Sequence, residues 1–357
     1  MSDLFSPLQL GAVTAPNRVF MAPLTRCRAG ESHIPDELMA EYYAQRASAG
    51  LLIAEATMAM GGNSAFWKEP GIYSDVHVAG WQKVTSAVHA AGGRIFLQVW
   101  HGGRACHPAL NGGRQPVGPS PIAITGDEVH TPEGKQPYVV PRVIADEEIP
   151  EIVAGFRSAA ENAKAAGFDG IEVHCANGYL LDQFLRDGTN RREGAYGGSR
   201  ENRARLLFEV LTACCAVWGS DRVGLRISPL NSYNDIIDSD PIGLASWLAG
   251  RLNDFNLAYL HVMRADFFGK QTGDVMTPIR ENYRGTLIGN MGYTADEADV
   301  AIQHGKLDAV AFGIAFLANP DLPARFKAKA PLNTPDPATF YTPGPAGYTD
   351  YPALTSL

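Results

Sequence analysis

Eight short apolar runs, each followed by a helical pattern, dominate the chain and leave few folds open to it. The strand-like runs are rich in β-branched and aromatic residues and fall at 18–25, 51–58, 94–101, 169–175, 223–228, 258–263, 286–289 and 308–313. Helical periodicity fills the intervals at about 36–49, 78–91, 148–166, 200–218, 241–254, 276–283, 294–304 and 319–329, with Gly50, Gly92 and Gly167 as candidate helix C-caps. Strands alternating with helices read as βαβ units, and runs that are apolar throughout mark a parallel sheet buried on both faces. Closing eight such units gives an α/β fold, a single (β/α)8 TIM barrel over residues 1–357. An open, doubly wound sheet is the alternative.

Two stretches depart from this rhythm. Residues 102–142 are rich in Gly and Pro (GGRQPVGPSP, TPEGKQP) and too long for an ordinary connection, so a capping loop or subdomain is expected there, after strand three. The segment from Pro331 onward is proline-rich and then aromatic (Phe340, Tyr341, Tyr348, Tyr351), which suits a tail folded back over the barrel.

Composition narrows the partners. No run of ~18 apolar residues is present, so no membrane span is expected. Thirty Lys and Arg against 38 Asp and Glu give a net charge of -8, which disfavours nucleic acid and anionic membranes. Cys27, Cys106, Cys175, Cys214 and Cys215 form an odd set without a C-x-x-C pair, so neither a disulfide framework nor a metal site is expected. The N-terminus lacks the apolar core of a secretory signal, and a cytoplasmic location, as monomer or small homo-oligomer, is the expectation.

Barrel chemistry comes from the C-terminal ends of strands. Thr25, Gln98, Trp100, His101, His174, Asn177, Tyr179 and Arg226 stand at or just past those ends. Singly, each has a structural reading, because buried polar groups are usually just satisfied: Arg226 could pair with Glu172, His101 could cap a loop, and Gln98 could satisfy backbone. Together, several neutral donors and one fixed cation suit a planar ligand that accumulates negative charge, such as a reduced flavin. A Schiff-base lysine, which an aldolase barrel would need, is absent from the strand ends. After strands seven and eight, Gly289-Asn290-Met291-Gly292 and Gly313-Ile314 occupy the places where barrels hold phosphate on backbone N–H groups. In the HCANGY motif at 174–179, His174 and Asn177 are three apart and share one side if a helical turn begins there. Tyr179, with a reference phenol pKa of ~10, stays protonated and can serve as a general acid.

These residues resemble the old yellow enzyme family of FMN-dependent ene-reductases. The resemblance runs nearly end to end, through APLTR (22–26), EYYAQRASAGLLIAEAT (41–57), VHCANGYLLDQFLRDGTNRR (173–192), YGGSRENRARL (196–206), ANPDLPARF (318–326) and GYTDYP (347–352). It implies non-covalent FMN, NADPH or NADH as reductant, and hydride delivery to small activated alkenes: α,β-unsaturated carbonyls, maleimides or nitroalkenes. By motif position it assigns Thr25, Gln98 and Arg226 to the flavin's polar edges, Pro23, Leu24 and Ala56 to contacts with its ring, and Asn290, Met291, Gly313 and Ile314 to the phosphate region. It further assigns His174 and Asn177 to the substrate oxygen, Tyr179 to proton donation, and Phe66, Trp100 and Tyr341 to the substrate pocket. Ile314 departs from the family's Gly-Arg phosphate motif, and a flavin-binding barrel with weakened or lost reductase activity is the alternative this raises.

Overall fold

The structure is a computed structural model describing residues 2–354. Eight parallel strands close into a barrel in chain order: β1 (Val19–Met21), β2 (Leu52–Met58), β3 (Ile95–Trp100), β4 (Gly170–Cys175), β5 (Val223–Ile227), β6 (Tyr259–Met263), β7 (Leu287–Asn290) and β8 (Ala309–Phe312). β8 pairs with β1 to complete the ring, Ala311 opposite Phe20. Every residue of all eight strands is buried, as a sheet covered by helices outside and side chains inside requires. The open doubly wound sheet is thereby excluded.

Helices follow the strands and start on the polar caps the sequence supplies. Asp36 accepts from Met39 N at the head of Glu37–Gln45, Asp240 from Gly243 N at Pro241–Leu252, and Thr294 from Glu297 N at Ala295–Gln303. Gly92 and Gly167 end the helices Asp75–Ala90 and Ile149–Ala165 with φ of 80° and 84°, as C-cap glycines do. Gly50 plays another part. The helix expected over 36–49 stops at Gln45, because Arg46 is buried and donates to Tyr42 O, Phe316 O and Leu317 O. Gly50 is then required by close approach, since a Cβ there would lie 2.1 Å from Asn17 O. The stretches 200–218 and 319–329 also depart: the first divides into Arg200–Arg203 and Arg205–Trp218, and the second is preceded by a short helix, Ile314–Ala318, before Leu322–Ala328.

An N-terminal hairpin, Leu8–Leu10 with Val13–Ala15, plugs the bottom of the barrel against Phe20, Ile53, Phe96, Tyr259 and Ile288. Sequence periodicity does not reveal it, because three-residue strands carry too little pattern. With the floor packed, the C-terminal mouth is the open end. Residues 102–142 carry two small pairs, Val117–Gly118 with Arg142–Val143 and the hairpin Glu128–Thr131 with Gly134–Pro137. Tyr138, just past that hairpin, packs against the cluster containing Trp100 and Tyr179, so the excursion lies at the mouth.

The tail folds back as expected. Arg26 donates to Gly347 O and Phe340 O, and Arg28 to Thr339 O, Phe340 O and Ala346 O. Tyr348 stacks on Tyr42 with centroids 3.9 Å apart. Among the described residues no helix is long and apolar enough to cross a membrane.

Candidate active site

Strand register delivers the polar residues to the mouth in pairs. Gln98 on β3 sits opposite Glu172 on β4, and His174 on β4 opposite Arg226 on β5. Gln98 Nε2 donates to Glu172 Oε1 at 2.7 Å, and His261 Nδ1 lies 2.8 Å from Glu172 Oε2. Glu172 thus serves Gln98 and His261, while Arg226 donates to Asn290 Oδ1 at 2.9 Å. The Arg226 Nε is buried without a partner, as are those of Arg104, Arg186 and Arg192. Those three bond several acceptors through their other nitrogens, whereas among the described residues Arg226 bonds Asn290 alone. An unsatisfied guanidinium nitrogen is costly in a finished core and expected in a binding site.

The HCANGY motif does not begin a helix at its centre. Asn177 and Gly178 both adopt positive φ, 56° and 73°, and the helix Leu180–Leu185 starts only after Tyr179. The tight turn is braced by the loop after β5: Asn177 N donates to Ser228 Oγ, Asn234 Nδ2 to Asn177 O, and Asn231 Nδ2 to Asn177 Oδ1. With its oxygen taken by Asn231, Asn177 keeps its own NH2 as a donor. His174 Nδ1 accepts from Ala176 N at 3.2 Å, which places the ring proton on Nε2. Burial, reinforced by Arg226 and His261, holds His174 well below the usual histidine range, so the ring is neutral. Two neutral donors therefore stand ready at one mouth.

Tyr179 is buried edge-on to Trp100 at 4.3 Å and to His174 at 5.2 Å. Burial first, and then the neighbouring Tyr233 and Tyr138, push its phenol well above the ordinary range. Trp100 is fully buried behind the Tyr179 ring. Phe66 lies 6.1 Å from Trp100 and stacks with the exposed Tyr341, also at 6.1 Å. His101 caps a loop by accepting from Gly103 N.

The other mouth residues follow β1, β2, β7 and β8. Pro23 is buried, with Leu24 and Thr25 partly exposed beside it, and a register irregularity between Ala54 and Thr57 lets Ala56 approach the mouth out of step with β3. Met291 takes φ of 83°, an uncommon conformation for a residue with a side chain. At Gly313 a Cβ would meet nothing nearer than Leu24 Cδ2 at 3.4 Å, so protein packing does not demand the glycine. Ile314 begins the helix Ile314–Ala318 with half its surface exposed. Residues 3–333 match the model of the NADH:flavin oxidoreductase / NADH oxidase family.

The chain belongs to the old yellow enzyme family.

It is an NAD(P)H-dependent, FMN-binding oxidoreductase with ene-reductase activity, as its family members are. A probable flavin mononucleotide-dependent alkene reductase of Leishmania infantum is 52% identical over 356 residues, covering 98% of this chain and 97% of that one. Morphinone reductase superposes with a TM-score of 0.96 at 46% identity, over 99% of this chain and 96% of its own. The old yellow enzyme from Trypanosoma cruzi gives a TM-score of 0.96 at 44% identity, over 99% of each chain. For an old yellow enzyme the mouth fits FMN on its own evidence: a buried guanidinium with a free nitrogen, an amide anchored at one hydrogen only, and a glycine whose missing Cβ leaves room for an anion. The residues that sequence reasoning missed are Ser228, Asn231 and Asn234, which lie 51 to 57 positions from Asn177 and carry no local motif.

Proposed function

We propose that the chain reduces the carbon–carbon double bond of activated alkenes, α,β-unsaturated carbonyls, maleimides or nitroalkenes, with NADPH or NADH as the hydride source. Thr25, Gln98 and Arg226 would hold the flavin's polar edges, and Pro23, Leu24 and Ala56 would pack against its ring. Asn290 at the end of β7 and Met291 just past it, with the backbone of Gly313 and Ile314, would take the phosphate. When bound, FMN supplies hydride transfer between the nicotinamide and the alkene.

The chain's own groups do the rest. His174 Nε2–H and the Asn177 amide donate to the carbonyl or nitro oxygen, drawing electron density from the double bond and making the β-carbon electrophilic. As negative charge gathers on that oxygen the two hydrogen bonds strengthen, which is how fixed donors lower a barrier. Tyr179 holds a proton at its phenolic oxygen and passes it to the α-carbon. Its elevated pKa keeps that proton in place until the carbanion forms. Phe66 and Tyr341 bound the pocket on the side of the tail.

The observation that carries this reading is that His174 and Asn177 are each locked as neutral donors by bonds on their far sides. A flavin-binding barrel without reductase activity has no use for such locking. The test is a visible spectrum of the purified holoenzyme, first reduced anaerobically with NADPH and then mixed with 2-cyclohexenone, a maleimide or a nitroalkene. Bleaching by NADPH and return of the oxidised bands with at least one alkene support the reading. Bleaching without return on any of the three overturns it.

A further inference from the structure

The loop between β2 and the helix Asp75–Ala90 carries Phe66 and is organised around a buried carboxylate that the reaction does not use. Glu69 is fully buried. Its Oε1 accepts from Ala65 N at 2.9 Å and Phe66 N at 3.3 Å, and its Oε2 accepts from Ser64 Oγ at 3.2 Å. Asn111, from the excursion after β3, grips the other end of this segment through both Ser64 N and Ser64 O.

The turn that Glu69 closes does not hold itself. Lys68 sits at φ of 77°, a region that residues with side chains rarely adopt, and the Glu69 N to Phe66 O bond is long at 3.4 Å. Ser64, at the start of the segment, borders a cavity of about 440 Å³ shared with His33, Tyr73, Asn111 and Arg114, so that side of Ser64 is not packed against protein. Ser64 Oγ also reaches Phe66 O at 3.3 Å, so the backbone of Phe66 is fixed by Glu69 at its N–H and by Ser64, itself a donor to Glu69, at its carbonyl.

We propose that Glu69 is a specificity-determining positioning residue: its carboxylate folds residues 64–66 so that the Phe66 ring forms a wall of the substrate pocket and limits the bulk of the alkene admitted. The inference rests on the reading of the mouth as an alkene site.

No cation neutralises Glu69 among the described residues. His33 Nδ1 is 3.8 Å from its Oε2, but that nitrogen already bonds Glu69 O at 2.6 Å and burial lowers its basicity. Tyr73 and the thiols of Cys27 and Cys106 are the other titratable neighbours, Lys68 turns its ammonium over Trp67, and Arg114 lines the adjoining cavity. Burial therefore pushes the Glu69 carboxyl up to about 7. Above that pH it accepts three charge-assisted bonds; below it, those bonds weaken. Size selection is strictest on the alkaline side.

The test uses the holoenzyme and two enones with the same carbonyl end, one small and one bulky at the β-position, and reads the ratio of their kcat/KM values. At about pH 8, Glu69→Ala lowers the small-over-bulky ratio roughly tenfold, the scale on which a pocket wall discriminates. Bleaching by NADPH is read alongside, to show that the variant still binds and reduces its flavin. Phe66→Ala lowers the ratio similarly, and the double variant adds nothing further. In the wild type the ratio falls between about pH 8 and about pH 6, whereas Glu69→Gln, which keeps an acceptor oxygen for both amides but cannot titrate, shows a flat ratio. Should the alanine variant fail to fold, this pH comparison decides. An unchanged ratio in Glu69→Ala, additive effects with Phe66→Ala, or a pH dependence that survives in Glu69→Gln overturns the proposal. If the wild type reduces neither enone, the alkene reading falls and this inference with it.

Discussion

Asn231 Nδ2 donates to Asn177 Oδ1 at 2.8 Å, and that bond decides which end of the Asn177 amide faces the mouth. Asn231 is itself fixed, accepting from Phe267 N through its side chain and from Arg186 Nη1 through its backbone. Asn231→Asp removes the donor and leaves only acceptors opposite Asn177. The amide then flips to present its oxygen to the substrate. Loss of one aimed donor typically costs ~10²–10³ in rate, so turnover of cyclic enones falls by about that factor while FMN remains bound. Steady-state rates together with the flavin content of the purified variant check this. Unchanged turnover would show that Asn177 does not act as a donor.

Tyr179→Phe keeps the ring that packs on Trp100 and removes the proton. Positioned proton transfer contributes typically ~10²–10⁴-fold, so ordinary enones slow by roughly that range. Nitroalkenes, whose reduced anion is stable enough to await solvent, lose little. If the phenol served packing alone, stability and both turnovers would fall together; rates on one enone and one nitroalkene separate the two patterns.

Eightfold alternation was legible because strand and helix periods are local: seven strands match the runs read from the sequence to within a residue at their ends, whereas β1 ends at Met21, four residues before the end of its run at 25. Helix ends set by distant partners were not. Arg46 terminates its helix through carbonyls about 270 residues away, and no local signal announces that. The active site divides in the same way. His174, Asn177 and Tyr179 stand out as chemistry-bearing residues after a strand, but the turn that orients them depends on Ser228, Asn231 and Asn234, which the barrel brings alongside only when β5 pairs with β4. Glu69 was illegible for another reason: a lone acidic residue in a loop reads as solvent-facing, and only folding buries it.

Ile314 begins the helix after β8, where the family resemblance implies arginine, and its side chain is half exposed. Arg264, beside the loop after β7, does not replace that cation: its nitrogens bond Met291 O and Gly292 O and pair with Glu297. On the proposed placement of the cofactor, the phosphate would then rest on neutral backbone donors. A hydrogen bond to a charged group is worth ~1.5–3 kcal/mol, so Ile314→Arg tightens FMN by roughly 10- to 150-fold. Titration of apo-protein with FMN at low and high salt measures it. An equal dissociation constant in both proteins would show that this position does not govern the phosphate.

Polarisation of the substrate oxygen by His174 and Asn177 is tested most directly by stopped-flow comparison of the two half-reactions of His174→Ala/Asn177→Ala. Each lost donor is worth ~10²–10³, so re-oxidation by a saturating enone is predicted to slow by at least ~10³-fold. Bleaching by saturating NADPH, in which no oxyanion develops on an alkene substrate, is predicted to slow by less than about tenfold. Equal losses in the two half-reactions would contradict the assignment and make the pair a structural support for the bound cofactor.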